Sequence, residues 1–265
     1  MDFYKLLTDK LICLNNGSIV TDLICEPTKE QLQSLCEGSG NPEAEMRQVN
    51  SSAGLAVNFW RAYEICHPEA NVEFEWKEVV PLRRGRPANI DAVVRACQVE
   101  EFYESKFLEP YYSINETPRD SYFDESKYSS YTKDSSRAWV ELFKRSSEFQ
   151  YYNVTQLIRH LLAISKHMWK NPKYYSDKQV NLISVVWDMP ESFAEMFKED
   201  VKEVLIQRRS VIREEAERCE KLLNDFIQEH LPMKNLHFKA LKYNNILDQI
   251  SDDKLRSKLK NQYFL

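Results

Sequence analysis

Asp91, Glu104 and Lys106 are the residues of this chain whose types and spacing are suited to chemistry. Two carboxylates supply the hard oxygen ligands that Mg2+ or Mn2+ takes, and they leave positions for water and a substrate phosphate. A lysine beside them brings positive charge to the water or to the phosphate. A bound metal lowers the pKa of its water and neutralises charge on a pentavalent phosphorane, so this chemistry needs no serine, cysteine or histidine nucleophile. In a strand, residues two apart share a face, so Glu104 and Lys106 project together, beside Asp91 on a neighbouring strand. Glu-x-Lys alone is ordinary on a solvated strand, where the ion pair is worth little. Asp91 is less ordinary, because it lies between Ile90 and the apolar Ala92-Val93-Val94, and a charge in such a strand needs a reason.

These residues depend on the elements that hold them. Residues 71–82 alternate, with Val72, Phe74 and Trp76 on one face and Glu73, Glu75 and Lys77 on the other. The turn Arg83-Arg84-Gly85-Arg86-Pro87 leads to a second strand at 89–95 and a third at 100–108, predicting an antiparallel meander. Upstream, a short helix at 30–36 ends in Gly38-Ser39-Gly40-Asn41-Pro42. A helix opening at Pro42 starts a new unit, and Leu55, Ala56, Phe59 and Trp60 mark a buried helical face in which Gly54 is expected to permit close packing on the sheet. Residues 113–136 read as a long loop rich in Tyr, Ser, Asp and Lys. Residues 138–149 and 154–167 read as helices, and 180–187 as a buried strand added in parallel after a helical crossover. Beyond Pro190, apolar residues from Phe193 to Ile227 recur near helical spacing, predicting one long amphipathic helix or two. That face is expected to pack on the core or on a partner, a homodimer included. Ser251-Asp252-Asp253 caps a last short helix carrying Leu255 and Leu259.

The order helix, strand, strand with Asp, strand with Glu-x-Lys, helix, strand resembles the core of the PD-(D/E)xK nuclease superfamily. Within it, Glu104-Ser105-Lys106-Phe107-Leu108-Glu109-Pro110 is similar to the E-S-K-F-x-E-P third strand of an uncharacterised restriction-endonuclease-like branch. Asn50-Ser51-Ser52 followed by Val57-Asn58-Phe59 resembles that branch's first core helix, and Gln156-Leu157-Ile158-Arg159 its crossover helix. The resemblance spans about residues 42–188. It implies an α/β fold with a restriction-endonuclease-like mixed central sheet flanked by helices. The chain then divides into an N-terminal helical segment (1–41), the nuclease core (42–189) and a helical C-terminal extension (190–265). It further implies that Asp91 and Glu104 bind a divalent metal, Mg2+ or Mn2+, that the carbonyl of Ser105 assists, and that Lys106 orients or activates water. Ile90 stands where the superfamily's name implies proline, a position that carries no ligand. A further acidic ligand is frequent in the superfamily, with Glu45 the first candidate and Glu75 the second.

The net charge of −5 argues against a globally basic nucleic-acid binder, although a local basic patch survives an acidic average. Arg83, Arg84 and Arg86 are such a patch, contacting phosphates or forming a solvated hairpin tip. Gln156 and Arg159 are candidates to face the site from the crossover helix. Tyr122, Tyr128 and Tyr131 either stack on bases or fold down onto the protein. His160 and His167, seven apart and without an HExxH pattern, read as surface histidines. Six cysteines with no CxxC pair read as buried free thiols. The absence of GxSxG, GxGxxG and GxxxxGK[ST] removes the usual hydrolase, dinucleotide and P-loop signatures. Without a signal-like N-terminus or an apolar run of ~18 residues, the expectation is a cytoplasmic protein with no membrane partner. The expected activity is Mg2+-dependent cleavage of DNA, as an endonuclease in restriction or DNA processing. The competing expectation is a catalytically inactive nuclease-fold module that binds DNA or assembles with a partner.

Overall fold

Helices α1 (Phe3–Leu14), α2 (Lys29–Ser39), α3 (Pro42–Met46) and α4 (Ser52–Cys66) precede the first strand in the computed structural model, which describes residues 1–39, 42–82, 86–128 and 136–264. Strands β1 (Asn71–Val79), β2 (Pro87–Arg95) and β3 (Val99–Lys106) follow, then α5 (Glu109–Tyr112), α6 (Ser136–Arg145), α7 (Val154–Lys170) and α8 (Pro172–Tyr175). The chain continues through β4 (Gln179–Val186), α9 (Glu191–Ala194), α10 (Glu199–His230), β5 (Leu236–Lys242), α11 (Tyr243–Leu247) and α12 (Asp253–Tyr263). The strands form one mixed sheet in the order β1-β2-β3-β4-β5. β1, β2 and β3 are antiparallel neighbours, as short connections require, whereas β4 and β5 join in parallel after helical crossovers.

Helices cover both faces of this α/β sheet. Trp60 of α4 stacks on Tyr103 with ring centroids 3.9 Å apart. Its neighbours in β3 point the other way, and Phe102 meets Trp76, whose ring also packs on His167 of α7. Seven of the eight β4 residues are buried, which is why that strand reads as a continuous apolar run. No helix among the described residues is long and apolar enough to cross a membrane.

The expectation of a purely helical segment after residue 190 omits β5. Its sequence LHFKALK is short and carries two lysines, with only Leu236 and Phe238 buried, so its period is faint. Long-range contacts create the strand. Asn224 of α10 donates to the Phe238 carbonyl and accepts its N–H, and Glu220 accepts the Ala240 N–H, so the helix satisfies the outer edge of β5. The apolar stripe of α10, a single helix rather than two, is buried within this chain through Leu205, Cys219, Leu223 and Ile227.

Two smaller expectations are corrected. Only Cys25 and Cys219 are buried, whereas Cys13, Cys36 and Cys97 are exposed. Gly54 packs against the backbone of α3 rather than the sheet, because a Cβ there would overlap the Met46 carbonyl oxygen. Gly54→Ala is therefore expected to destabilise the fold by about 2 kcal/mol, since a backbone carbonyl cannot rotate aside as a side chain can. Thermal unfolding should register this as a fall in Tm of roughly 5 °C.

Candidate active site

The β2–β3 ladder runs from Arg95 opposite Glu100 to Ala92 opposite Tyr103 and then stops. One residue further, where Asp91 would face Glu104, the Asp91 carboxylate takes over the pairing. Its Oδ2 accepts the backbone N–H of Ser105 at 2.7 Å. A side-chain oxygen thus satisfies an amide that the ladder leaves, and it fixes Asp91 against the Glu104-Ser105 peptide. On the other side of β2, Glu75 falls opposite Asp91, between the pairs Phe74–Ala92 and Trp76–Ile90. Glu75 has φ of 55°, the left-handed region that costs a residue with a Cβ roughly 1–2 kcal/mol. The alternation read from sequence holds on either side of it, with Val72, Phe74 and Trp76 buried, and Trp76 and Glu78, two residues apart, both meet α7.

Asp91, half-buried, has its carboxyl pushed well above the usual range, first by burial and then by the charge of Glu104, with Glu75 adding to it. Lys106 and the Ser105 N–H oppose that rise without cancelling it. Glu75 is raised for similar reasons, by burial and then by Glu104, against Lys77. Glu104 is 1% exposed. Burial would raise it, but Lys106 and then His160 outweigh that effect and hold its carboxyl down to about 2. Lys106 Nζ lies 2.5 Å from Glu104 Oε1, and His160 Nε2 lies 2.9 Å from Oε2. Burial lowers Lys106, yet Glu104 and Asp91 more than compensate and raise it above the lysine range. The opposite balance holds His160 below the imidazole range, because burial exceeds the pull of Glu104. At neutral pH Glu104 and Lys106 form a charged pair, with Asp91, its carboxyl raised by burial and by Glu104, beside them and His160 held below the imidazole range.

A cleft of about 120 Å³ opens onto Glu104 and Lys106, lined also by Glu109, Tyr151, Asn153 and Ser184 among others; Asp91 and His160 are not among its lining residues. Asp91, Glu104 and the carbonyl of Ser105, the residue after Glu104, are the donors here suited to a hard cation. Of the two further carboxylates expected from sequence, Glu75 lies near enough to act on both Asp91 and Glu104. Glu45 is exposed on α3 and does not line the cleft. Arg86 is exposed at the approach to β2, and Arg83 and Arg84 lie outside the described residues. Gln156 is occupied at the start of α7, where it exchanges hydrogen bonds with the cap residue Asn153. Arg159 lies 3.8 Å from Glu116. The residue of α7 that reaches the site is His160, one turn beyond Gln156, so its reading as a surface histidine is overturned by its 1% exposure. His167 keeps partial exposure beside Glu78. Tyr122 and Tyr128 are buried against Phe143 and are not offered to bases; Tyr131 lies outside the described residues.

Two supporting carboxylates escaped the sequence reading. Glu215 of α10, 3% exposed, accepts the N–H groups of Gln150, Tyr151 and Tyr152 at 2.6, 2.9 and 2.9 Å and so holds one wall of the cleft. Asp188, just past β4, accepts from Arg209 at 3.0 Å and from Arg213 at 2.9 and 2.6 Å. Burial raises Asp188, but Arg213 and Arg209 prevail and bring it from 3.8 to about 2. A depressed folded pKa contributes stability that is fully present above pH ~4 and is lost as pH falls through ~2. Asp188→Asn is expected to remove on the order of 1 kcal/mol of that acid-dependent stability, allowing for screening. Urea denaturation of both proteins at pH 5 and pH 2.5 measures it: the gap between them should shrink at the lower pH.

No family model, curated protein or solved structure matches this chain. Among the described residues, no three His, Cys, Asp or Glu side chains are grouped to hold a metal ion.

Proposed function

We propose that this chain is a divalent-metal-dependent deoxyribonuclease with a PD-(D/E)xK, restriction-endonuclease-like core. The observation that carries the reading is the opening of the β2–β3 ladder at Asp91, which sets its carboxyl beside a buried, ionised Glu104 on the strand that also carries Lys106. The donor set fits Mg2+ or Mn2+. Asp91, Glu104 and the Ser105 carbonyl are all oxygen donors, and the buried Glu104 carboxylate is held ionised. Two carboxylates are the usual protein share for Mg2+, which keeps several waters, so the lack of a three-residue cluster is no obstacle. When bound, the metal supplies Lewis acidity and a water of lowered pKa.

The chain's own residues supply positioning and charge. The Ser105 N–H orients Asp91. Lys106 stays an ammonium at neutral pH, so it cannot take a proton from water. Its role is to donate hydrogen bonds and to stabilise negative charge on the phosphate as the water oxygen bonds to phosphorus and the bridging P–O bond breaks. His160 holds Glu104 from the side opposite Lys106. Cleavage of plasmid and linear DNA in Mg2+, with an EDTA control, tests the reading; a wild-type protein that leaves both intact under every metal condition contradicts it.

One observation favours a second reading, a non-catalytic DNA-binding or assembly module that keeps the fold. Glu104 is already flanked by Lys106 and His160, a set that is self-sufficient in charge. Calorimetric titration with Mn2+ in the presence of DNA separates the two. Binding that disappears in Asp91→Ala supports the nuclease, and no binding at all supports the module.

A further inference from the structure

We propose that the cleft takes single-stranded or frayed DNA in preference to closed duplex, with Tyr151 as the platform on which a base next to the scissile phosphate stacks. The proposal rests on the nuclease reading and adds its substrate class.

Depth is the first reason. A phosphate has to reach Glu104, 1% exposed, at the bottom of a narrow cleft whose walls include Glu109, Tyr151 and Asn153. A duplex carries its phosphates on a stiff helix whose flanking backbone meets the rim first. A single strand can push one phosphate inward while its bases turn aside onto aromatic surfaces.

The wall is the second reason. Tyr151 lines the same cleft as Glu104 and Lys106. Its backbone N–H is held by Glu215 and its hydroxyl accepts from Gln150 Nε2 at 3.0 Å. The Arg208 guanidinium, itself bonded to the Tyr111 carbonyl, lies 5.1 Å from the Tyr151 ring and 4.2 Å from that of Phe3. The ring is therefore fixed before any ligand arrives, so little ordering entropy opposes stacking. A second aromatic pair, Tyr4 and Tyr112, meets edge to face at 5.0 Å, with Tyr4 46% exposed and Tyr112 near enough to Lys106 and Glu109 to feel both charges. Rings interleaved with Arg208 and Lys106 are what a sequence-tolerant single-strand site uses, because every base presents a π-face and every nucleotide a phosphate.

The test compares cleavage of one labelled oligonucleotide as a single strand, a blunt duplex and a tailed duplex in Mg2+, together with fluorescence anisotropy of the same DNAs in EDTA. Wild type should cleave the single strand and the tail at least tenfold faster than the blunt duplex. Tyr151→Leu should raise the single-strand KM roughly tenfold, as expected for one lost base stack. Tyr151→Phe keeps the ring and should restore the KM to within about twofold. Tyr4→Leu, at an exposed position, guards against a folding defect and should weaken single-strand binding in the same direction. A blunt duplex cleaved fastest, or a Tyr151→Leu KM equal to wild type, overturns this inference while the nuclease reading stands. Single-strand binding that needs Tyr151, with no cleavage of any DNA, supports the platform and overturns the nuclease instead. Absence of both binding and cleavage overturns both.

Discussion

Glu104→Gln is expected to lower Mg2+-dependent DNA cleavage by roughly 10²–10³-fold, the usual effect of removing one preorganised charge from a buried site. The amide matches the carboxylate in shape, so β3 and its contacts remain, but the site loses the anion that Lys106 approaches at 2.5 Å and His160 at 2.9 Å. The consequences reach both neighbours. Lys106 is raised by Glu104 above all, so it falls toward the ordinary lysine range once that charge is gone. His160 is already low because of burial and loses the one neighbour that raises it, so it should drop further. NMR titration of the His160 ring checks the second effect independently of activity: a downward shift is expected, and an unchanged ring would mean that Glu104 does not act on it. Because truncating one member of a buried ion pair is costly, Glu104→Ala should add a stability loss of about 3–5 kcal/mol that Glu104→Gln largely avoids.

Glu215→Ala is expected to cost about 3–5 kcal/mol of folding stability and, for a chain of this size, roughly 10 °C in Tm. One buried carboxylate accepts three consecutive amides, those of Gln150, Tyr151 and Tyr152. Removing it leaves three N–H groups without their acceptor, each charge-assisted bond being worth more than a neutral one. Glu215→Gln keeps the shape but only one carbonyl oxygen, so its loss should be intermediate. These amides carry the cleft wall with Tyr151, so cleavage should fall in Glu215→Ala even at temperatures where the protein stays folded. Urea denaturation and cleavage at 20 °C measure the two effects; a loss below 1 kcal/mol would show that water replaces the carboxylate at no cost.

The β1–β2–β3 meander was legible because its signals are local: an alternating first strand, an apolar second strand and short connections. β4 was legible because a parallel strand buried on both faces reads as an unbroken apolar run. Asp91 stood out for the same reason, as a charge in an apolar stretch. β5 was not legible, since its pairing depends on Asn224 and Glu220 of a helix that precedes it and its own residues hardly alternate. Nothing local distinguishes Glu215 or Asp188 from the many acids of solvated helices and loops, because their partners are 63–65 and 21–25 residues away. His160 had a usable signal: on α7 it is followed by Leu161, Leu162, Ala163 and Ile164, so the helix is buried around it, and a histidine there has to meet something polar. The positive φ of Glu75 carried no signal at all, since a glycine or asparagine would have announced the kink and a glutamate does not.

The most direct test of a hydrolytic site at Asp91, Glu104 and Lys106 is the single-turnover rate of DNA cleavage in Mg2+ for wild type, Asp91→Ala and Lys106→Ala. Wild type should cleave, EDTA should stop it, and each variant should fall by roughly 10²-fold or more when assayed at a temperature where its unfolding profile shows it still folded. Equal rates in all three proteins would contradict the assignment.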